Sequence, residues 1–179
     1  MASKALLEHC LNLAGKNLIA FSLLLIWSAG ATASPRIAVL GFELKDLTLA
    51  PNTPTEIART KSIKPLLEEE LQKSGFQIVQ IAADDVEKAT AGPGYIFDHH
   101  DIAADLGRTA GADYIVIGRL HKPSYLFIYL MAHLVDVNRG ELIGNYLSEV
   151  KGGEKKLTRK GVESLAEKIK ATLQPSSAP

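Results

Sequence analysis

The run Ala-Asp-Tyr-Ile-Val-Ile-Gly-Arg, residues 112–119, decides the fold because one structural pattern ends there and another begins. Its centre is continuously apolar and rich in β-branched residues, which indicates a strand buried on both faces. Gly111 lies directly before it and can close a helix that spans His100 to Ala110. The chain therefore enters this strand from a helix, as it does in the crossover connections of parallel sheets.

Two earlier strands and their helices lead up to this run. Residues 36–42 form a short apolar run directly after a proline, and residues 76–81 form a second run of strand type. Residues 43–55 are polar and contain two prolines, so they are predicted as a loop. Asp84 is a plausible cap for a short helix after the second strand. The order strand, helix, strand, helix, strand predicts three parallel strands.

For the helix between the first two strands, the sequence predicts the second half clearly but leaves open where the helix begins. Residues 53–56, Thr-Pro-Thr-Glu, can start a helix through a threonine cap and a proline in the first turn. Pro65 disfavours a helix that runs through it. The secure part is therefore Leu66 to Ser74, with Leu67 and Leu71 facing the sheet.

The chain after residue 119 breaks the alternation of strands and helices. Tyr125 to Val137 reads as a long strand, Asn138 to Gly140 as a hairpin turn, and Leu142 to Val150 as the returning strand. An apolar stripe on residues 157–173 predicts a final amphipathic helix. The fold class is thus α/β, with a mixed sheet of about five strands, three parallel followed by an antiparallel hairpin, flanked by helices.

The N-terminal 33 residues have the pattern of a secretory signal peptide. Lys4 and Lys16 precede an apolar run from Leu18 to Trp27, and Ala31-Thr32-Ala33 supplies a small-residue cleavage site, so the cut is expected between Ala33 and Ser34. The alternative is a retained membrane anchor, but the apolar run is about half of the roughly 20 residues that a span needs. The prediction is a signal peptide at 1–33, one α/β domain at 34–173 and a disordered tail at 174–179.

Removal of the signal peptide changes the bulk chemistry of the chain. The whole chain has 20 basic and 20 acidic side chains, and loss of Lys4, Lys16 and Glu8 leaves 18 and 19. A nearly neutral domain lacks the net positive charge that favours binding to nucleic acid. The single cysteine, Cys10, lies ahead of the apolar run, so neither a lipid anchor at the cleavage point nor a disulfide is expected.

Three stretches resemble a group of bacterial periplasmic domains of unknown function, similar in layout to the amino-terminal domain of TolB and the α/β domain of CsgG. They are residues 37–42, residues 111–118 and the turn segment 134–140. The resemblance covers most of residues 36–173 and implies a fold rather than an activity. Some relatives carry a Cys-x-x-Cys pair where His99 and Ile102 stand here, so no redox or metal role is implied.

Asp98, His99 and His100 form the densest group of potential metal ligands. Imidazole and carboxylate groups suit zinc, copper or nickel. Adjacent histidines point in different directions, however, and the simpler interpretation is a helix start in which Asp98 is the cap and Asp101 lies in the first turn. The metal site is therefore the weaker hypothesis.

The long strand offers the sharper candidate. Alternation places Leu126, Ile128, Leu130, Ala132 and Leu134 on one face and Tyr125, Phe127, Tyr129, Met131 and His133 on the other. The aliphatic face is expected against helices. The aromatic face is either covered by another helix, such as the last one, or forms a partner-binding patch.

Catalytic motifs give little support for an enzyme. The sequence has no Gly-x-Ser-x-Gly nucleophile turn and no phosphate-binding glycine loop. The predicted function is a non-catalytic periplasmic interaction or accessory module of an envelope or secreted-oxidoreductase system, with no cofactor and with another periplasmic or envelope protein as its partner. A small-ligand or metal-binding protein is the alternative, and an unrecognised hydrolase is a weaker one.

Overall fold

Apolar strands from the start and the middle of the chain meet at the centre of a mixed six-stranded sheet. The computed structural model describes residues 34–91, 96–151 and 155–174. The strands are β1 (Arg36–Val39), β2 (Glu43–Asp46), β3 (Gln77–Val79), β4 (Tyr114–Lys122), β5 (Phe127–Asp136) and β6 (Glu141–Lys151). The helices are α1 (Pro54–Lys73), α2 (Ala83–Thr90), α3 (His100–Ala110) and α4 (Lys155–Leu173), with a 3₁₀ turn at Ile96–Asp98.

The sheet order is β3-β1-β4-β5-β6, and β2 pairs with β4 beyond the end of β1. β1, β2 and β3 are parallel to their neighbours, whereas β4, β5 and β6 form an antiparallel meander. The predicted fold class is confirmed: a parallel part is followed by a hairpin. Gly111 and Gly140 close α3 and the β5–β6 turn with positive φ angles of 75° and 70°, which glycine adopts without steric cost.

The loop prediction for residues 43–55 is wrong at its start, because residues 43–46 form β2. β1 pairs with the first residues of β4 only, and β2 pairs with Arg119 to Lys122 farther along the same edge. Because β4 has nine residues, the backbone N–H and C=O groups of its second half extend beyond β1 and are free to pair with β2. Backbone hydrogen bonds to β4 therefore order β2, whose single apolar residue, Leu44, could not order it by burial alone.

Helix α1 begins earlier than its secure half suggested. Thr53 Oγ1 accepts a hydrogen bond from the Glu56 N–H at 3.3 Å, and Pro54 occupies the first turn, as predicted. The helix continues through Pro65, which is exposed. Ile63, Leu67 and Leu71 are fully buried against the sheet, and this packing offsets the cost of an internal proline.

The two faces of the sheet have separate cores. Helices α1 and α4 pack on one face, where the core includes Ile37, Leu67, Leu130 and Leu165. Helix α3, with help from α2, covers only part of the other face. Asp84 does not cap α2 as predicted: the cap is Ala82, which makes no side-chain bond, and Asp84 lies in the first turn.

Candidate functional site

Strand β5 separates a buried aliphatic face from a half-exposed aromatic one. Ile128, Leu130, Ala132 and Leu134 are at most 1% exposed and belong to the core beneath α1 and α4. Phe127, Tyr129, Met131 and His133 alternate with them and are exposed or half-buried. The last helix therefore packs on the aliphatic face and leaves the aromatic one open.

Neighbouring strands enlarge this surface, which we call the open face: Phe127, Tyr129, Met131, His133 and their cross-strand neighbours Arg119, His121, Leu147 and Glu149. In the β5–β6 register Met131 lies opposite Leu147 and Tyr129 lies opposite Glu149. In the β4–β5 register His121 lies opposite Tyr129, and their rings stack at a centroid distance of 6.4 Å. Phe127 is 39% and Leu147 49% exposed. The centre of the open face is thus apolar and aromatic.

Tyr125 and Leu126 do not belong to the strand, contrary to the prediction. The Ser124 hydroxyl accepts hydrogen bonds from the N–H groups of Leu126 and Phe127, both at 3.3 Å, and this turn delays the start of β5. Leu126, predicted to be buried, is 71% exposed. The Tyr125 ring lies 5.5 Å from the Nζ of Lys122, not in line with the aromatic residues of β5.

One end of the open face is built around Arg119. Its Nη2 donates to Glu43 Oε2 at 3.0 Å and to Asp98 Oδ2 at 2.6 Å. Glu43 Oε1 accepts in turn from the Phe97 N–H at 2.8 Å. Arg119 therefore joins β4, β2 and the 3₁₀ turn in one charged network. The Arg119 hydrogen bonds hold the pKa of the Asp98 carboxyl below its usual value.

Phe97 fills the space between this network and the histidines. The Arg119 guanidinium lies 4.3 Å from the Phe97 ring centroid on one side, and the His133 ring stacks at 4.0 Å on the other. Nδ1 of His133 and Nε2 of His100 form a hydrogen bond at 2.9 Å. Burial, followed by the charge of His100, lowers the pKa of His133 below its usual value. His133 is therefore largely neutral at pH 7.

The predicted group Asp98, His99 and His100 is not brought together as a ligand set. Asp98 does not cap α3 as predicted, because its carboxylate binds Arg119 instead, and His99 occupies the cap position. His100 turns towards His133. Within residues 34–91, 96–151 and 155–174, no group of three or more His, Cys, Asp or Glu side chains could hold a metal ion.

Arg119, Glu43, Phe97 and Leu147 belong to the site but were missed in the sequence. Glu43, Arg119 and Leu147 are placed by the sheet register and Phe97 by the 3₁₀ turn, and the β2–β4 pairing was hidden by the loop prediction for residues 43–55. A signal was present, since an arginine in an apolar strand needs a partner when it is buried. The geometry favours recognition, because the apolar centre is open while the charged groups at its end bind one another.

The fold is similar to that of several solved structures. The hypothetical protein CT253 from Chlamydia trachomatis matches with a TM-score of 0.53 and 9% identity, covering 80% of this chain and 100% of that one. A PelC dodecamer from Paraburkholderia phytofirmans matches with a TM-score of 0.51 and 14% identity, covering 78% and 88%. TolB from Acinetobacter baumannii gives a TM-score of 0.49 and 18% identity, covering 79% of this chain and 29% of TolB.

At these identities the structural matches show the fold alone, and the likeness to CsgG stays a prediction. No curated protein matches this chain. The sequence of residues 35–169 does match a protein family, and this confirms the expectation of a domain of unknown function. The chain belongs to the family DUF3280, described as a protein of unknown function (DUF2380).

Proposed function

We propose that this protein is a non-catalytic interaction module of the bacterial cell envelope, and that its open face binds a protein partner. The observation that carries the proposal is the exposure of Phe127 and Leu147 beside Tyr129 and Met131 on a sheet face that α4 leaves uncovered. Aromatic residues and methionine are enriched in the centres of protein interfaces. Such a centre supplies most of the binding energy when a partner excludes water from it.

The polar groups of the open face support binding rather than reaction. Arg119 is committed to Glu43 and Asp98, and His133 is committed to His100. These contacts fix the position of the groups instead of presenting a base to a nucleophile. The rim carries both charge signs, with Lys151 lying 3.7 Å from Glu149 in an exposed pair. A polar rim around an apolar centre is the usual composition of a protein interface.

The compartment we propose is the periplasm, reached through the signal peptide at residues 1–33 with cleavage between Ala33 and Ser34. The domain would then be residues 34–173, followed by a short tail at 174–179. Over the part of the chain that the structure describes, no helix has the length and apolar character needed to cross a membrane. PelC, which has a similar fold, was solved as a dodecamer, so a second copy of this chain is one candidate partner.

The test is affinity capture after crosslinking in intact cells, followed by mass spectrometry. We expect the triple variant Phe127→Ser, Tyr129→Ser, Leu147→Ser to lose a partner that the wild type captures, by tenfold or more. The matched control is Ile57→Ser, Leu142→Ser, which removes two other apolar side chains of about 40% exposure on α1 and β6. Both variants must keep the wild-type circular dichroism spectrum.

Equal capture by the triple variant and the wild type would refute the open face as the binding site. Equal loss in the control variant would also refute it, because the effect would then follow from surface apolarity in general. Crosslinks between two copies of the chain through Tyr129 would identify the partner as a second copy.

A further inference from the structure

A concave site lies on the opposite side of the sheet from the open face. It is a cavity of about 730 Å³ beside α1 and the first turn of α4. Pro54, Ala58, Ser62, Pro65 and Leu66 contribute one wall, and their three- to four-residue spacing places them on one side of α1. A volume of this size is in the range of small-molecule sites, roughly 300–1,000 Å³.

Arg59 forms part of the cavity wall, and buried charges hold it in place. Its Nη1 lies 3.1 Å from Glu56 Oε2, and the second oxygen of Glu56 accepts a hydrogen bond from Lys122 Nζ at 2.9 Å. The three side chains are only 7–8% exposed. Two cations thus share one carboxylate. A guanidinium fixed in this way is suited to bind a carboxylate or phosphate group, because a planar donor group that is already held loses less side-chain entropy on binding.

The start of α4 adds positive charge to the same cavity. Thr158 and Arg159 line it, and the first turn of α4 has no acidic residue. Cations at the amino end of a helix oppose the helix dipole, whereas an anion is favoured there. Arg59 and Arg159 are the charged groups of the cavity wall, and among the described residues no carboxylate lines it.

We propose that this cavity binds a small amphiphile with an anionic head, either a carboxylate or a phosphate. The head would lie between Arg59 and Arg159, within reach of the Thr158 hydroxyl. The apolar body would lie along Pro54, Ala58 and Leu66. Mostly apolar walls with a few convergent polar groups are characteristic of ligand sites. The site is separate from the open face and does not depend on the function proposed above.

The proposal is tested by isothermal titration calorimetry with decanoate and decyl phosphate, each below its micelle-forming concentration. The sample is the protein purified from cells that express the full-length sequence. Inorganic phosphate tests the head alone, and decyltrimethylammonium tests the apolar body with the opposite charge. We expect saturable binding of at least one anionic amphiphile, with binding at least tenfold weaker for the cationic one. The two anionic probes distinguish a carboxylate ligand from a phosphate ligand.

Arg159→Gln should weaken binding about tenfold or more, because it removes a charged hydrogen-bond donor. Lys160→Gln is the matched control, since it removes the adjacent exposed cation outside the cavity wall, and it should change the Kd less than twofold. Ala58→Phe should abolish binding by filling the cavity. Thermal unfolding must show that all three variants are folded.

The proposal would be overturned by absence of saturable binding of both anionic probes, by equal binding of the cationic probe, or by equal weakening by Arg159→Gln and Lys160→Gln. Binding that Ala58→Phe leaves unchanged would likewise place the ligand elsewhere. Capture of a protein partner through the open face is unaffected by any of these outcomes.

Discussion

Replacement of Arg119 by methionine should destabilise the protein by about 3 kcal/mol. Arg119 and Glu43 are 10% and 13% exposed, and hydrogen bonds between charged groups in such positions contribute about 1.5–3 kcal/mol. Asp98 is 58% exposed, so its share is discounted to about 0.5 kcal/mol. The contact with the Phe97 ring adds about 0.5–1 kcal/mol. The variant also leaves the Glu43 carboxylate buried without its cation, and about 3 kcal/mol lies within the roughly 2.5–4.5 kcal/mol that these contributions span.

The assay is urea unfolding followed by circular dichroism, with thermal unfolding as a second measurement. For a domain of this size, 3 kcal/mol corresponds to a fall in Tm of roughly 6–12 °C. Asp98→Asn should cost under about 1 kcal/mol, because solvent screens its pair with Arg119. Glu43→Leu combined with Arg119→Met should recover most of the loss, since both buried charges are then removed together. A loss under about 1 kcal/mol for Arg119→Met, or a double variant less stable than either single one, would refute the reasoning.

Two further predictions concern pH and packing. Because burial lowers the pKa of His133, the unfolded chain binds a proton near pH 6.5 that the folded protein does not, so stability should fall as the pH drops through that range. His133→Gln should make this slope shallower in unfolding curves from pH 7.5 to 5.5, and an unchanged slope would show that other groups determine it. Gly118→Ala should cost about 1–3 kcal/mol, because a Cβ there overlaps the buried Phe42 ring, and a wild-type Tm would contradict this.

The sequence predicts those parts of the fold in which a periodic pattern of apolar residues marks an element and a glycine marks the turn at its end. The strand β4 and the helix α4 can be predicted from their apolar residues, because those residues are buried in the two hydrophobic cores and need no specific polar partner. Gly111 and Gly140 mark their turns because they supply the positive φ that other residues adopt at a cost. The alternation of β5 likewise predicts which of its side chains are buried. Local chemistry is sufficient for these elements.

Two long-range charge pairs join residues 43–56 to β4 in addition to the β2–β4 backbone pairing, and local chemistry could not predict them. β4 provides two buried cations that point to opposite faces of the sheet. Arg119 binds Glu43 of β2, 76 positions earlier, and Lys122 binds Glu56 in the first turn of α1, 66 positions earlier. These partners can be assigned only once the parallel register of β2 and β4 is known.

The same two ion pairs connect β4 to both candidate sites. Buried ion pairs contribute little net stability compared with apolar contacts, although removal of one partner alone is costly because it leaves the other charge buried. Here Arg119 contacts the Phe97 ring, and the Phe97 ring stacks on His133 at the end of the open face. Lys122 holds Glu56, and Glu56 holds Arg59 at the wall of the cavity. The second half of β4 therefore contributes one buried ion pair to the border of each candidate site, Arg119 at the open face and Lys122 at the cavity.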